Sequence, residues 1–337
     1  MSLMNRDIKK IAIVRLSALG DIINSAFVLQ FIHRYYPHAT LTWIVEERFA
    51  AILKSAKHLQ NVEKLNLKKF KQERSFTLLK EEYQKLKAFG DFDIIIDMQG
   101  LIKSAIVSRL LGKNTHGFDK NSTRESLAAL FYKTTSAISY EANVISRNAK
   151  LISDALSIDI TAEMIRDKEP LFHLSKDFKL QKEKKNIAFV IGASWESKIY
   201  PKEKVAKVCD MLQEKIHIIW GSDDEKQKAQ WICEHSEYAT MAPKCTLDEL
   251  VSFISQMDLL IGNDTGPTHI AWAQNIPSIT LLGPTTTRMI GETAKNVGIK
   301  SPSEVNLLKI NKNDFSISQI QEETIVKKAK ELLNNGL

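Results

Sequence analysis

Four short stretches hold residue types that could do chemistry. The turn Ser17-Ala18-Leu19-Gly20-Asp21 ends an apolar, β-rich run at 11–16 and opens a helical pattern. In a parallel sheet such a turn lies at the carboxyl edge of the strands, where ligands bind. The helix dipole and free amides there favour an ionised Asp21, and Gly20 permits a tight turn or a close ligand approach. Asp21 is therefore either a general base or an ordinary acid at a helix start. In Asn263-Asp264-Thr265-Gly266-Pro267-Thr268-His269, small hydroxyl-bearing residues lead into another helix, whose amides could receive a diphosphate. The same stretch also fits a plain capped helix, with Asp264 or Thr265 as N-cap and His269 packed one turn in. Trp220-Gly221-Ser222-Asp223-Asp224-Glu225 is a third strand-to-helix turn, whose acids suit either a ribose or the helix dipole. Lys198, just ahead of Pro201, is either a phosphate cation or a surface lysine. No GxGxxG fingerprint occurs, so a nicotinamide cofactor has little support.

The elements that must position these groups alternate strand and helix. Apolar runs at 41–45, 62–67 and 92–97 follow the first strand, with helical spacing at 21–36 and from 101 onward. Their apolar character is continuous rather than alternating, which marks parallel strands buried on both faces. A lysine-rich stretch at 175–185 interrupts the rhythm, which resumes with strands at 187–191, 216–220, 259–262 and 278–282 and helices between them. The expected fold is α/β, two Rossmann-like doubly wound domains. Domain one spans 1–174, a linker 175–185, domain two 186–315, and a closing amphipathic helix 316–337.

Bulk properties narrow the function. A chain of 337 residues exceeds one ordinary core and suits two domains of about 150 residues each. No apolar run reaches the ~20 residues of a membrane helix, and the N-terminus lacks a signal core, so a cytoplasmic location is expected. The three cysteines, Cys209, Cys233 and Cys245, form no CxxC pair, which argues against zinc or a disulfide framework. The net charge of +7 is uneven: residues 1–160 carry 24 basic against 16 acidic side chains, and 54–87 alone carry 10 against 4. That run is either a solvated helix face or a surface for an anionic partner. Sparse aromatics and the lack of a nucleic-acid motif place lipid or a phosphorylated acceptor ahead of nucleic acid.

Together these stretches resemble the lipopolysaccharide heptosyltransferases of glycosyltransferase family 9. The 17–21 turn is similar to the family's Ser-x-x-Gly-Asp, and Asp97-Met98-Gln99-Gly100-Leu101-Ile102-Lys103-Ser104 to its Asp-x-Gln-Gly-Leu-x-Lys-Ser. Trp43-Ile44-Val45-Glu46-Glu47-Arg48-Phe49 matches the second-strand segment. His116-Gly117-Phe118-Asp119 and the runs at 123–128 and 130–132 resemble the type I branch rather than type II, which adds the next heptose. Lys198 with Tyr200-Pro201, Trp220-Gly221 with Glu225, Pro243-Lys244, Asp264-Thr265-Gly266 with His269, and Gly283-Pro284-Thr285 follow in the family's order.

The resemblance implies a GT-B architecture facing a central cleft, acceptor on the N-terminal side and ADP-heptose on the C-terminal side, with the last helix bracing the first domain. It implies inverting transfer of L-glycero-D-manno-heptose from ADP-heptose to the inner Kdo of Kdo₂-lipid A, without metal or cofactor, on the cytoplasmic face of the inner membrane. Asp21 resembles the base and Lys198 the leaving-group cation. Ser194, Glu225, Cys245, Asp264, Thr265, Gly266 and His269 resemble the donor set. Lys68, Lys69, Lys103 and Arg124 would meet Kdo carboxylates and lipid A phosphates. Three positions depart from the pattern: Ala193-Ser194 replaces a threonine pair, Cys245 a methionine near adenine, and Ile199-Tyr200 a His-Trp. A non-catalytic nucleotide-binding module on the same fold is the alternative from another class.

Overall fold

The computed structural model describes residues 8–73, 76–181, 183–307 and 309–334. Of the stretches read from the sequence, 1–7, 74–75, 182, 308 and 335–337 lie outside them. Two compact units divide the chain, Met1–Leu171 and Phe172–Leu337.

The first unit holds six parallel strands: β1 (Lys10–Val14), β2 (Thr40–Glu46), β3 (Asn61–Leu65), β4 (Ile94–Asp97), β5 (Thr115–Phe118) and β6 (Thr134–Ser136). They are ordered β3-β2-β1-β4-β5-β6. The second unit repeats the plan with β7 (Asn186–Val190), β8 (Lys215–Ile219), β9 (Ala239–Met241), β10 (Leu259–Asn263), β11 (Ser278–Leu282) and β12 (Asn296–Lys300), ordered β12-β11-β10-β7-β8-β9. Each is the doubly wound order, in which the chain reverses direction across the sheet beside the first strand. The central strands explain the continuous apolar runs, since Ile11 to Val14 and Leu259 to Ile261 have no exposed surface.

Four outer strands, β5, β6, β9 and β12, went beyond the sequence reading. They are short and polar, and β6 exposes Thr134 and Thr135, so no apolar run betrays them. The helical stretch expected at 21–36 is two helices, Leu19–Ala26 and Val28–Tyr35, meeting at Phe27.

The 175–185 stretch has neither helix nor strand among its described residues. It is bound along the second unit: the Ser175 amide donates to Ser252 Oγ at 2.8 Å and the Phe178 amide to Gln256 Oε1 at 3.1 Å. The closing helix, Glu322–Asn334, places Ile325, Val326, Ala329 and Leu332 in one core with Val205, Cys209 and Ile261. Its apolar face thus completes the second unit.

Two buried histidines bond neighbouring strands, His116 joining β5 to β6 and His217 joining β8 to β7. His116 bonds Thr134 Oγ1 and Ser136 Oγ, each at 2.8 Å, and His217 bonds Asn186 Oδ1 at 3.0 Å. Burial lowers both from 6.5 to about 4. The unfolded chain therefore binds more protons than the folded one between these values, and stability falls as pH drops from 6.5 toward 4. Urea unfolding across that window should show this slope, and His116→Gln with His217→Gln should flatten it; a slope unchanged in the double variant would assign it to other groups.

Candidate active site

Each unit carries a cluster of polar groups at the carboxyl edge of its two adjoining central strands, β1 and β4 in the first, β7 and β10 in the second. In this topology those edges flank the switch point where ligands bind.

In the first unit, Asp21 is the third residue of the Leu19–Ala26 helix, following a cis Ser17–Ala18 peptide. Its Oδ2 accepts the Ala18 amide at 3.3 Å, and its Oδ1 pairs with Arg15 Nη2 at 3.0 Å. Arg15 also donates to the Met98 carbonyl, and Gln99 Oε1 accepts the Leu16 amide at 2.8 Å, so the loops after β1 and β4 are laced together. The Asp21 side chain keeps 24% of its surface exposed. Asp97, the other carboxylate at this edge, is wholly buried. It accepts the Gln99 and Gly100 amides at 2.8 and 3.2 Å and Tyr132 Oη at 2.7 Å. Burial outweighs these bonds and pushes its carboxyl above the usual range. Asp97 thus holds the turn, and Asp21 is the carboxylate open to a ligand. Gly100 turns with φ +68°, where a Cβ would also press on Phe118 at 3.0 Å.

The proposed acceptor cations fall into two kinds. Lys103 Nζ is bonded to the buried Glu46 carboxylate at 2.7 Å. Arg124 is exposed and has no side-chain partner among the described residues, and Lys68 and Lys69 are exposed on the Leu67–Glu73 helix.

In the second unit, Lys198 is not a mobile surface lysine. Its side chain is 9% exposed and its Nζ lies 2.6 Å from Asp264 Oδ2. Asp264 Oδ1 lies 3.3 Å from His269 Nε2. Burial alone would raise the Asp264 carboxyl, but Lys198 and His269 outweigh it and hold it far below the usual range. Asn263 knits the same loops, accepting the Tyr200 amide at 3.1 Å and donating to the Ile191 carbonyl at 3.0 Å.

With Asp264 committed to Lys198 and His269, the N-cap of the Gly266–Ala273 helix falls to Thr265, whose side chain makes no cap bond. The Gly266 amide is left for an anion to fill. A pocket of about 340 Å³ adjoins this helix start, lined by Gly192, Ser194, Glu225, Cys245 and Thr265, within the roughly 300–1,000 Å³ of small-molecule sites. Glu225 uses Oε2 to accept the Gly221 amide at 2.6 Å, and a Cβ on Gly192 would collide with its carboxylate. Burial raises the Cys245 thiol to about 11, so it lines the pocket as a neutral apolar group. A larger open hollow of about 1170 Å³ beside 174–186 is lined by charged and polar side chains with Leu174 and Leu180, and by neither Lys198 nor Asp264.

Several groups here escaped the sequence reading. Arg15 was hidden in an apolar run, although a lone cation at a strand end is itself a signal. Trp195, with Lys198 Nζ 4.8 Å and Lys312 Nζ 5.3 Å from its ring, had no visible partner pattern. Buried Trp195 Nε1, Ser197 Oγ, Thr285 Oγ1 and Thr286 Oγ1 lack hydrogen-bond partners among the described residues. Buried polar groups of this kind are ones a hydroxylated or phosphorylated ligand can satisfy.

Residues 82–316 match the family model for glycosyltransferase family 9, the heptosyltransferases. The chain belongs to this family. It is 41% identical to lipopolysaccharide heptosyltransferase 1 of Campylobacter coli, over 97% of this chain and 99% of that protein. The Escherichia coli K12 protein of the same name is 25% identical over 90% of this chain and 96% of its own. E. coli WaaC, solved with ADP-2-deoxy-2-fluoro heptose, superposes with a TM-score of 0.79 at 22% identity, covering 96% of this chain and 99% of WaaC. A family 9 glycosyltransferase of Veillonella parvula gives 0.80 at 21%, covering 97% and 98%. At such identities the likeness speaks for the fold, which is the GT-B class of two Rossmann-like units. Among the described residues no group of three His, Cys, Asp or Glu could hold a metal ion, and no helix is long and apolar enough to cross a membrane.

The buried pair makes a stability prediction. Asp264→Ala strands Lys198 in an apolar setting and should lower stability by about 3–5 kcal/mol, whereas Lys198→Met joined to Asp264→Leu should recover most of it. Denaturant midpoints read both; an Asp264→Ala protein as stable as the parent would show that the pair does not hold these loops.

Proposed function

We propose that this protein transfers L-glycero-D-manno-heptose from ADP-heptose to the inner Kdo of Kdo₂-lipid A, with inversion and without a metal. The observation that carries this reading is the uncapped Gly266–Ala273 helix start, flanked by Lys198 and His269 and opening on a nucleoside-sized pocket. Relatives named lipopolysaccharide heptosyltransferase 1, and a WaaC structure with a fluorinated ADP-heptose, support the choice of sugar donor.

The chemistry is a single displacement. The acceptor hydroxyl forms a bond to the anomeric carbon as the bond to the β-phosphate oxygen breaks. The hydroxyl proton passes to Asp21, and ADP leaves with the electron pair. A carboxylate is a weak base for a sugar hydroxyl, so its proton transfer comes late and the transition state resembles an oxocarbenium ion. Charge then gathers on the leaving diphosphate, and Lys198, the Gly266 amide and Thr265 are assigned to receive it. Asp264, held as a carboxylate, keeps Lys198 in position. Glu225 is assigned to the ribose, and Ser194 and Cys245 to the nucleoside walls.

Arg124, Lys68 and Lys69 are assigned to the anionic groups of the acceptor, with Lys103 shared with Glu46. An acyl-bearing acceptor places the working enzyme on the cytoplasmic face of the inner membrane.

Asp21→Asn retains size and removes the proton acceptor. Turnover should fall about 10²-fold or more while calorimetric binding of ADP-heptose is kept; undiminished turnover would remove Asp21 from the role of base. Kdo₂-lipid A should be preferred over its heptosylated product, and the reverse preference would assign the protein to the type II branch.

A further inference from the structure

The 3-10 turn Ser126–Phe131 leaves two leucines outside the fold. Leu130 is 79% exposed and Leu127 60%, the two most exposed large apolar side chains among the described residues. Single exposed leucines are ordinary. These two differ because a 3-10 helix has three residues per turn, so positions three apart stack on one face. The other side of the turn fixes their direction. Ala128 is fully buried and Phe131 half-buried, packed with Ala105, Ile102 and Tyr132, whose hydroxyl is bonded to Asp97. Ile106, 40% exposed, lies on the Ile102–Leu111 helix against which the turn packs.

Exposed cations fringe this apolar tip in the chain: Lys120, Arg124 and Lys133. The acids among them are occupied, Asp119 accepting the Asn121 amide at 3.0 Å and Glu125 the Ile102 amide at 2.8 Å. An apolar tip with exposed cations flanking it in the chain complements the boundary of an anionic bilayer, where leucines meet acyl chains and cations meet phosphates. A second copy of the chain fits poorly, because a two-fold contact would set this fringe of like charge against itself. We propose that Leu127 and Leu130 form a wedge that inserts into the interface of an anionic lipid bilayer, docking the first unit at the membrane. This deepens the reading that the acceptor is a lipid.

The test uses the full chain and vesicles of phosphatidylethanolamine with phosphatidylglycerol. Leu127→Ser with Leu130→Ser should weaken vesicle binding at least about tenfold, because the burial of two leucines is lost. Thermal midpoint and heptosyl transfer onto a deacylated, soluble acceptor should hold. A Leu130→Trp probe should shift its emission to the blue on these vesicles and far less on phosphatidylcholine. Vesicle binding unchanged in the serine pair, or no emission shift, overturns the wedge. So does a dimer in light scattering that the serine pair dissolves, or an equal loss of transfer on the soluble acceptor. Insertion by a parent protein that transfers to neither acceptor supports the wedge and refutes the assigned activity.

Discussion

A buried charge must be answered, and in the second unit the carboxylate of Asp264 is answered by Lys198 and His269. Much of the local structure follows. Lys198 comes from the loop after β7 and Asp264 from the loop after β10, so their contact joins the ends of two neighbouring central strands. The pairing removes Asp264 from capping duty, and the Gly266–Ala273 helix keeps an open start. One interaction thus orders a loop, places a cation and leaves the Gly266 amide open to an anion. These features suit a leaving diphosphate, whose growing charge calls for preset donors rather than a proton source.

The first unit solves a similar problem with opposite polarity. Its exposed carboxylate, Asp21, is steadied by Arg15, which also grips the Met98 carbonyl in the loop after β4. Asp97 is the structural acid of the pair, sealed by Tyr132 and two amides, and it frees Asp21 for a different use. Both units therefore place a polar cluster at the same point of the same strand order and brace it through the adjacent strand. The fold repeats, while the charge presented by each half does not.

How much of this was legible in the chain depended on whether a residue's partner is near in sequence. The central strands could be read because burial on both faces demands unbroken apolar runs such as Ile94-Ile95-Ile96. The turns at Asp21, Glu225 and Asp264 could be read because strand, turn and helix are contiguous. The strands β5, β6, β9 and β12 could not; in β6, Thr134 and Thr135 gain their pairing from a sheet assembled elsewhere. Lys198 could be named but not described: only folding reveals that a lysine before a proline is buried on an aspartate 66 positions away. Arg15 was missed because it sits in an apolar run and one of its partners, the Met98 carbonyl, lies 83 positions on. The exposed face of Leu127 and Leu130 was equally silent, because a 3-10 turn carries no periodic signature over so few residues.

In the proposed mechanism the diphosphate of an ADP-sugar sits at the start of the Gly266–Ala273 helix, beside Lys198. A crystal structure with a non-reactive ADP-heptose analogue would locate it. The β-phosphate oxygens should bond to the Gly266 amide and to Lys198 Nζ, with the ribose against Glu225 and the anomeric carbon open to attack by an acceptor hydroxyl held by Asp21. A diphosphate bound elsewhere, such as in the hollow beside 174–186, with the Lys198–Asp264 pair untouched by ligand, would contradict it.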